Sequence, residues 1–181
     1  ALGAPERAQI LDERMTESAI RTADLSRTRI LHLATHGFTS EESGAAAEPG
    51  LVFTPPPVAR PEDDGYLAAS EVLGLDLRLA EWVILSACNT ASPSGKLGET
   101  GLSGLAQAFL YAGAQSLLVS HWPVFDDIAP VQTVEMLKRI KAGTPRAEAL
   151  QAAIREVRSN PALEAAHPAV WAPVPLVGEG R

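Results

Sequence analysis

Two nearly continuous apolar runs, Arg29-Ile30-Leu31-His32-Leu33-Ala34 and Trp82-Val83-Ile84-Leu85-Ser86-Ala87, constrain the fold more than anything else in the chain. Each is short and lacks the alternation of a strand that faces water. Both therefore read as strands buried on both faces of a parallel sheet. Ligands of such sheets gather beyond the carboxyl ends of the strands. At those ends stand Thr35-His36-Gly37 and Cys88.

The segments around these runs alternate between helical and extended patterns. Residues from about Ala4 to Thr22 space Ile10, Leu11, Met15 and Ile20 among charges, which predicts a surface helix. Leu51-Val52-Phe53 forms a brief strand, broken by Pro55-Pro56-Pro57 and by Arg60 to Gly65, within a long connection that begins at Ser40. Ala68 to Leu73 reads as a short helix capped by Ser70, and Leu102 to Ala112 as a helix closed by Gly113 in a left-handed cap. A third strand spans Gln115 to Ser120, and an amphipathic helix spans Asp127 to Lys141. Thr144-Pro145 looks like a cap and first-turn proline opening a helix to Arg158, and the proline-broken tail from His167 to Val177 ends as an edge strand. The alternation predicts a single α/β domain over residues 1–181 with a mostly parallel sheet.

Composition narrows the partners. The formal charge is −7, from 15 basic and 22 acidic residues, and no basic cluster exists to drive counterion release, so direct nucleic-acid binding is not expected. No apolar run approaches the roughly 18 residues of a membrane span, and the N-terminus lacks the order of a signal peptide, which predicts a cytoplasmic chain. Cys88 is the one cysteine, so an intrachain disulfide and a multi-cysteine metal cage are excluded, and no cofactor or metal is expected. The chain begins at Ala1, as a fragment of a longer protein would. Its Ala, Arg and Pro usage suggests a bacterial source.

A cysteine nucleophile needs a thiolate, a nearby imidazole and backbone N–H donors aimed at the developing oxyanion. Adjacent strands lie about 4.8 Å apart, so groups just past two strand ends can reach one carbonyl. His36 precedes Cys88 by 52 positions, close to the spacing of about fifty found in caspases. Gly37, with no side chain, lets its N–H approach a carbonyl oxygen.

The resemblance then becomes specific. His32-Leu33-Ala34-Thr35-His36-Gly37, Leu85-Ser86-Ala87-Cys88-Asn89-Thr90, Ala112-Gly113-Ala114, Trp122-Pro123 with Asp126-Asp127, and His167-Pro168 with Trp171 resemble the CHAT family in order and context, across nearly all of residues 29–178. That resemblance implies a caspase-like three-layer sandwich, with helices on both faces of a mostly parallel sheet. It also implies His36 and Cys88 as the catalytic dyad, with the N–H groups of Gly37 and Cys88 forming the oxyanion site. Family members commonly carry helical repeats upstream, so a regulatory domain or partner protein is expected.

Ser86-Ala87-Cys88-Asn89-Thr90 departs from the Gln-Ala-Cys-x-Gly signature of caspases, so aspartate specificity does not carry over. The segment Trp122-Pro123-Val124-Phe125-Asp126-Asp127 is similar to the stretch of separases whose acidic residue receives a basic P1 side chain. Asp127, with Asp126 second, is the candidate for that role. A buried carboxylate at the base of a slot would discriminate by several kcal/mol. The predicted substrate is thus a protein or peptide cleaved after Arg or Lys.

Blander readings stand beside these. A lone cysteine is more often core filler, His32 reads as structural, and His121 reads as a packing partner of Trp122. Gly98, Gly101 and Gly104 lack the preceding strand and following Lys-Ser/Thr pair of a phosphate cradle. Asp126 and Asp127 could merely cap the next helix. The rival function is a non-catalytic interaction module on the same fold, and a third reading is a zymogen-like state whose loops await a partner or cleavage.

Overall fold

A computed structural model describes residues 9–39, 48–87, 103–122, 125, 127–163 and 167–180. Among them a four-stranded sheet has the order β1 (Ile30–Ala34), β5 (Trp82–Ser86), β6 (Ser116–Leu118), β7 (Leu176–Gly178). Its first three strands are parallel and β7 runs antiparallel on β6. A separate antiparallel sheet joins β2 (His36–Phe38), β3 (Gly50–Val52) and β4 (Tyr66–Ala68) in chain order. The result is a mixed α/β fold with a mostly parallel main sheet.

The period of two along each strand assigns side chains to two cores. Leu31, Leu33, Val83, Leu85 and Leu117 pack with Ile20 of α1 (Glu17–Thr22), Val72 of α2 (Ala69–Val72) and Leu105 and Phe109 of α3 (Gly104–Tyr111). The alternate residues Trp82, Ile84 and Leu118 pack with Met136 and Leu137 of α4 (Ala129–Lys141) and Leu150 and Ala153 of α5 (Arg146–Ser159). β5 is central, so Trp82 through Leu85 are all buried. β1 is terminal in the sheet, and only Leu31 and Leu33 are buried while His32 and Ala34 stay exposed. The expectation that both apolar runs are buried on two faces therefore holds for β5 alone.

Several local boundaries differ from the sequence reading for identifiable reasons. Residues 4–8 of the predicted N-terminal helix lie outside the described residues; from Gln9 onward the chain forms a one-turn 3-10 segment, Asp12–Arg14, followed by α1, because Thr16 breaks the run and accepts the Ala19 N–H at 3.1 Å as a new cap. Ser70 does not cap α2. The Glu71 carboxylate accepts the Ala68 N–H at 3.0 Å and the Glu48 carboxylate accepts the Ser70 N–H at 2.8 Å. α3 is capped by Ser103, whose hydroxyl accepts the Ala106 N–H at 3.2 Å, and Gly113 closes it at φ 109° as expected. Pro145, one residue later than predicted, occupies the cap position of α5. The tail also contains a turn of helix, α6 (Pro168–Trp171), opened by the His167 ring, whose Nδ1 accepts the Ala169 N–H at 3.1 Å.

Candidate functional site

The site is built where β1 and β5 end. Their parallel register pairs Ala34 with Ser86, so the chain leaves both strands at the same level. After β1 the chain turns at once into β2, and the Thr35 hydroxyl fixes this corner by donating to the Val52 carbonyl. After β5, the carbonyl of buried Ala87 accepts from the Ser120 hydroxyl, which ties the end of β5 to the segment beyond β6. Cys88 is the next residue in the chain; it and Asp126 lie outside the described residues.

The backbone orientation of β2 follows from β3. The Phe53 N–H donates to Gly65 O at 2.8 Å and the Ala69 N–H donates to Pro49 O at 3.0 Å, so β3 directs the main-chain groups of its odd-numbered residues at β4. In an antiparallel ladder these alternate, so Gly50 and Val52 face β2. Val52 is opposite His36 and Gly50 is opposite Phe38, and these two pairs carry the hydrogen bonds between β2 and β3. Gly37, between them, points both its N–H and its C=O away from β3. Gly37 is buried while His36 and Phe38 are exposed on the other face.

Beside His36 opens a groove of about 320 Å³, lined by His32, Ala34, Thr35, His36, Ser86, Ala129, Pro130 and Thr133. It lies between the open face of β1 and the first turn of α4. Among the described residues its lining carries imidazoles, hydroxyls and small apolar groups, with no carboxylate or cation. His32 Nε2 and Ser86 Oγ are 2.8 Å apart, a hydrogen bond across the two strands. The His32 residue keeps an open edge to solvent, yet the strand and helix atoms crowding its ring strip enough water to push its pKa below the ordinary imidazole value. Sequence reading set His32 aside as structural and did not single out Ser86. Their placement on the same face is, however, implied by the period of two once β1 and β5 are put in register.

Asp127 is exposed, two residues before α4, rather than buried at the base of a slot. It is not the cap of α4 either: that position is Ile128, with no side-chain hydrogen bond. His121 stacks on Trp122 with ring centroids 6.4 Å apart, and the Trp122 indole N–H donates to Ala169 O at 3.0 Å. Among the described residues no group of three or more His, Cys, Asp or Glu could hold a metal ion. Also among them, no helix is long and apolar enough to cross a membrane.

Comparison with known proteins matches the sequence to one family. The chain is 28% identical over 182 aligned residues, 85% of its length, to tetratricopeptide repeat protein 28 of Mus musculus. It is 33% identical over 123 residues, 65% of its length, to tetratricopeptide repeat protein 28 of Homo sapiens. It spans 7% and 5% of those two proteins respectively. The family model described as CHAT domain matches residues 1–179, and the chain belongs to the CHAT domain family.

Proposed function

We propose that the chain is a cysteine endopeptidase in which Cys88 is the nucleophile and His36 its acid–base partner. The observation that carries this reading is His36 standing exposed at the corner where β1 gives way to β2, with the N–H of buried Gly37 turned away from β3. Cys88 follows β5 by two residues, as His36 follows β1. A thiolate–imidazolium pair at this level attacks the scissile carbonyl, and a Cys–carbonyl bond forms. The N–H groups of Gly37 and Cys88 hold the oxyanion. The His36 imidazolium gives its proton to the leaving amine as the C–N bond breaks, and the neutral imidazole then activates water to release the acid and the thiol.

The groove at Ala34, Ala129 and Pro130 suits the aliphatic stem of a P1 side chain, and Asp127, just ahead of Ala129, is proposed to meet its cationic end. An exposed carboxylate discriminates by about 1 kcal/mol, less than the buried one expected from sequence. The fuller caspase-like sandwich and a cytoplasmic, bacterial setting complete the proposal. Control by upstream helical repeats fits the repeat proteins to which the chain is similar.

The test is a panel of peptides with Arg, Lys or Asp at P1, incubated with the chain and with Cys88→Ala. Thiol-dependent cleavage after Arg or Lys is expected, with Asp127→Asn narrowing the preference over Asp by about fivefold. No cleavage, including by the activated parent protein, would favour the interaction module.

A further inference from the structure

The groove beside His36 holds two side chains that the proposed dyad does not use. Ser86 is the register partner of Ala34, so it meets His32 on the diagonal between β1 and β5, with His32 Nε2 and Ser86 Oγ 2.8 Å apart. Both line the groove. Among the described residues, β5 and the first turn of α4 bring no ionisable group to the lining, and β1 with its corner brings His32 and His36. Asp127 is exposed ahead of α4 and does not line the groove. Two imidazoles therefore set the charge that a ligand meets there.

Hydrogen-bond chemistry gives the His32–Ser86 pair two states. When the imidazole is neutral and accepts at Nε2, the Ser86 hydroxyl donates its one proton to His32 and keeps its lone pairs for another donor. When the imidazole is protonated, both ring nitrogens are donors, so Nε2 donates to Ser86 Oγ and the groove gains a positive charge. Burial of the ring favours the neutral state. The end of a Lys or Arg side chain brings donors and no acceptor. It finds an oxygen to bond in the first state and a like charge in the second.

We propose that His32 and Ser86 are specificity residues for P1: neutral His32 frees the Ser86 oxygen for an N–H of a cationic P1 side chain, and protonated His32 turns that side chain away. The inference rests on the peptidase reading, in which the P1 stem lies in this groove. A neutral P1 side chain of the same shape is indifferent to the charge of His32. Repulsion between two charges sharing the groove lowers affinity by about tenfold.

The experiment measures binding without turnover. Fluorescein-labelled peptides with Arg or its neutral isostere citrulline at P1 are titrated against the Cys88→Ala chain by anisotropy between about pH 8 and 5.5. The preference for Arg over citrulline is expected to fall about tenfold as pH falls. Adding His32→Gln makes the preference independent of pH, while adding His36→Gln, which removes the other imidazole of the groove, keeps the fall. By linkage, a bound Arg peptide lowers the pKa of His32, followed by its ring C–H signals in NMR, by about one unit, and the citrulline peptide leaves it unchanged. Absence of binding, a preference constant with pH, a fall that survives His32→Gln, or a His32 titration that ignores the Arg peptide would overturn the proposal. Cleavage of the same peptides by the unaltered chain is scored separately. The expected binding pattern without cleavage would refute the peptidase reading and leave the charge selection of the groove standing.

Discussion

At the scale of single residues, the groove beside His36 is lined by an imidazole whose burial disfavours its charged form. His32 hydrogen-bonds Ser86 and is desolvated enough that its folded pKa lies below that of the unfolded chain. The unfolded chain therefore binds the proton more readily. The full stability is present above the ordinary imidazole pKa of about 6.5 and declines as pH falls through it toward the lowered folded value. Thermal melts of the chain and of His32→Gln between about pH 5 and 8 are expected to show the chain losing stability relative to the variant as pH falls. A constant difference would contradict this. His36 and Gly37 were legible because they follow directly on the apolar run of β1, which reads as a strand whether one or both of its faces are buried. Glu17 was not: it is 1% exposed, yet in the sequence it is one acid among many near the N-terminus. Its burial depends on a loop 47 residues away, whose Asp64 N–H donates to its carboxylate at 2.9 Å.

At the scale of elements, that carboxylate joins α1 to the turn before β4. It accepts from Asp64 N–H, from Gly65 N–H at 3.1 Å and from Arg21 at 2.7 Å. Glu17→Ala leaves these donors without it and is expected to cost about 3 kcal/mol in urea unfolding; a cost near zero would show that the turn holds itself. The small sheet that carries His36 is equally constrained. A Cβ on Gly50 would lie 2.6 Å from Leu67 O and 2.6 Å from the Tyr66 ring, so Gly50→Ala is expected to destabilise by about 2 kcal/mol in the same measurement. β2 and β4 escaped sequence reading because His36-Gly37-Phe38 and Tyr66-Leu67-Ala68 lack the Val- and Leu-rich run that marks Leu51-Val52-Phe53 and Ser116 to Val119. Their pairing is set by β3, which was legible. β1, β5 and β6 were found because continuous Val, Ile and Leu survive any local reading.

At the scale of the whole molecule, one sheet separates two clusters of apolar side chains, and both its faces were implicit in the alternation of β5. The terminal place of β1 was not, since an edge strand and a central strand can share an apolar run. Beside that terminal strand lies the groove that His32, Ser86 and the start of α4 line. The central claim joins the two strand ends through His36 and Cys88, and the single cysteine makes it directly measurable. The rate of iodoacetamide alkylation is followed against pH for the chain and for His36→Ala. The account predicts that the thiol of the chain titrates at least one unit below the value of about 8.5 for a free cysteine, and that His36→Ala returns it there. An identical profile for both proteins, near that free value, would contradict the dyad.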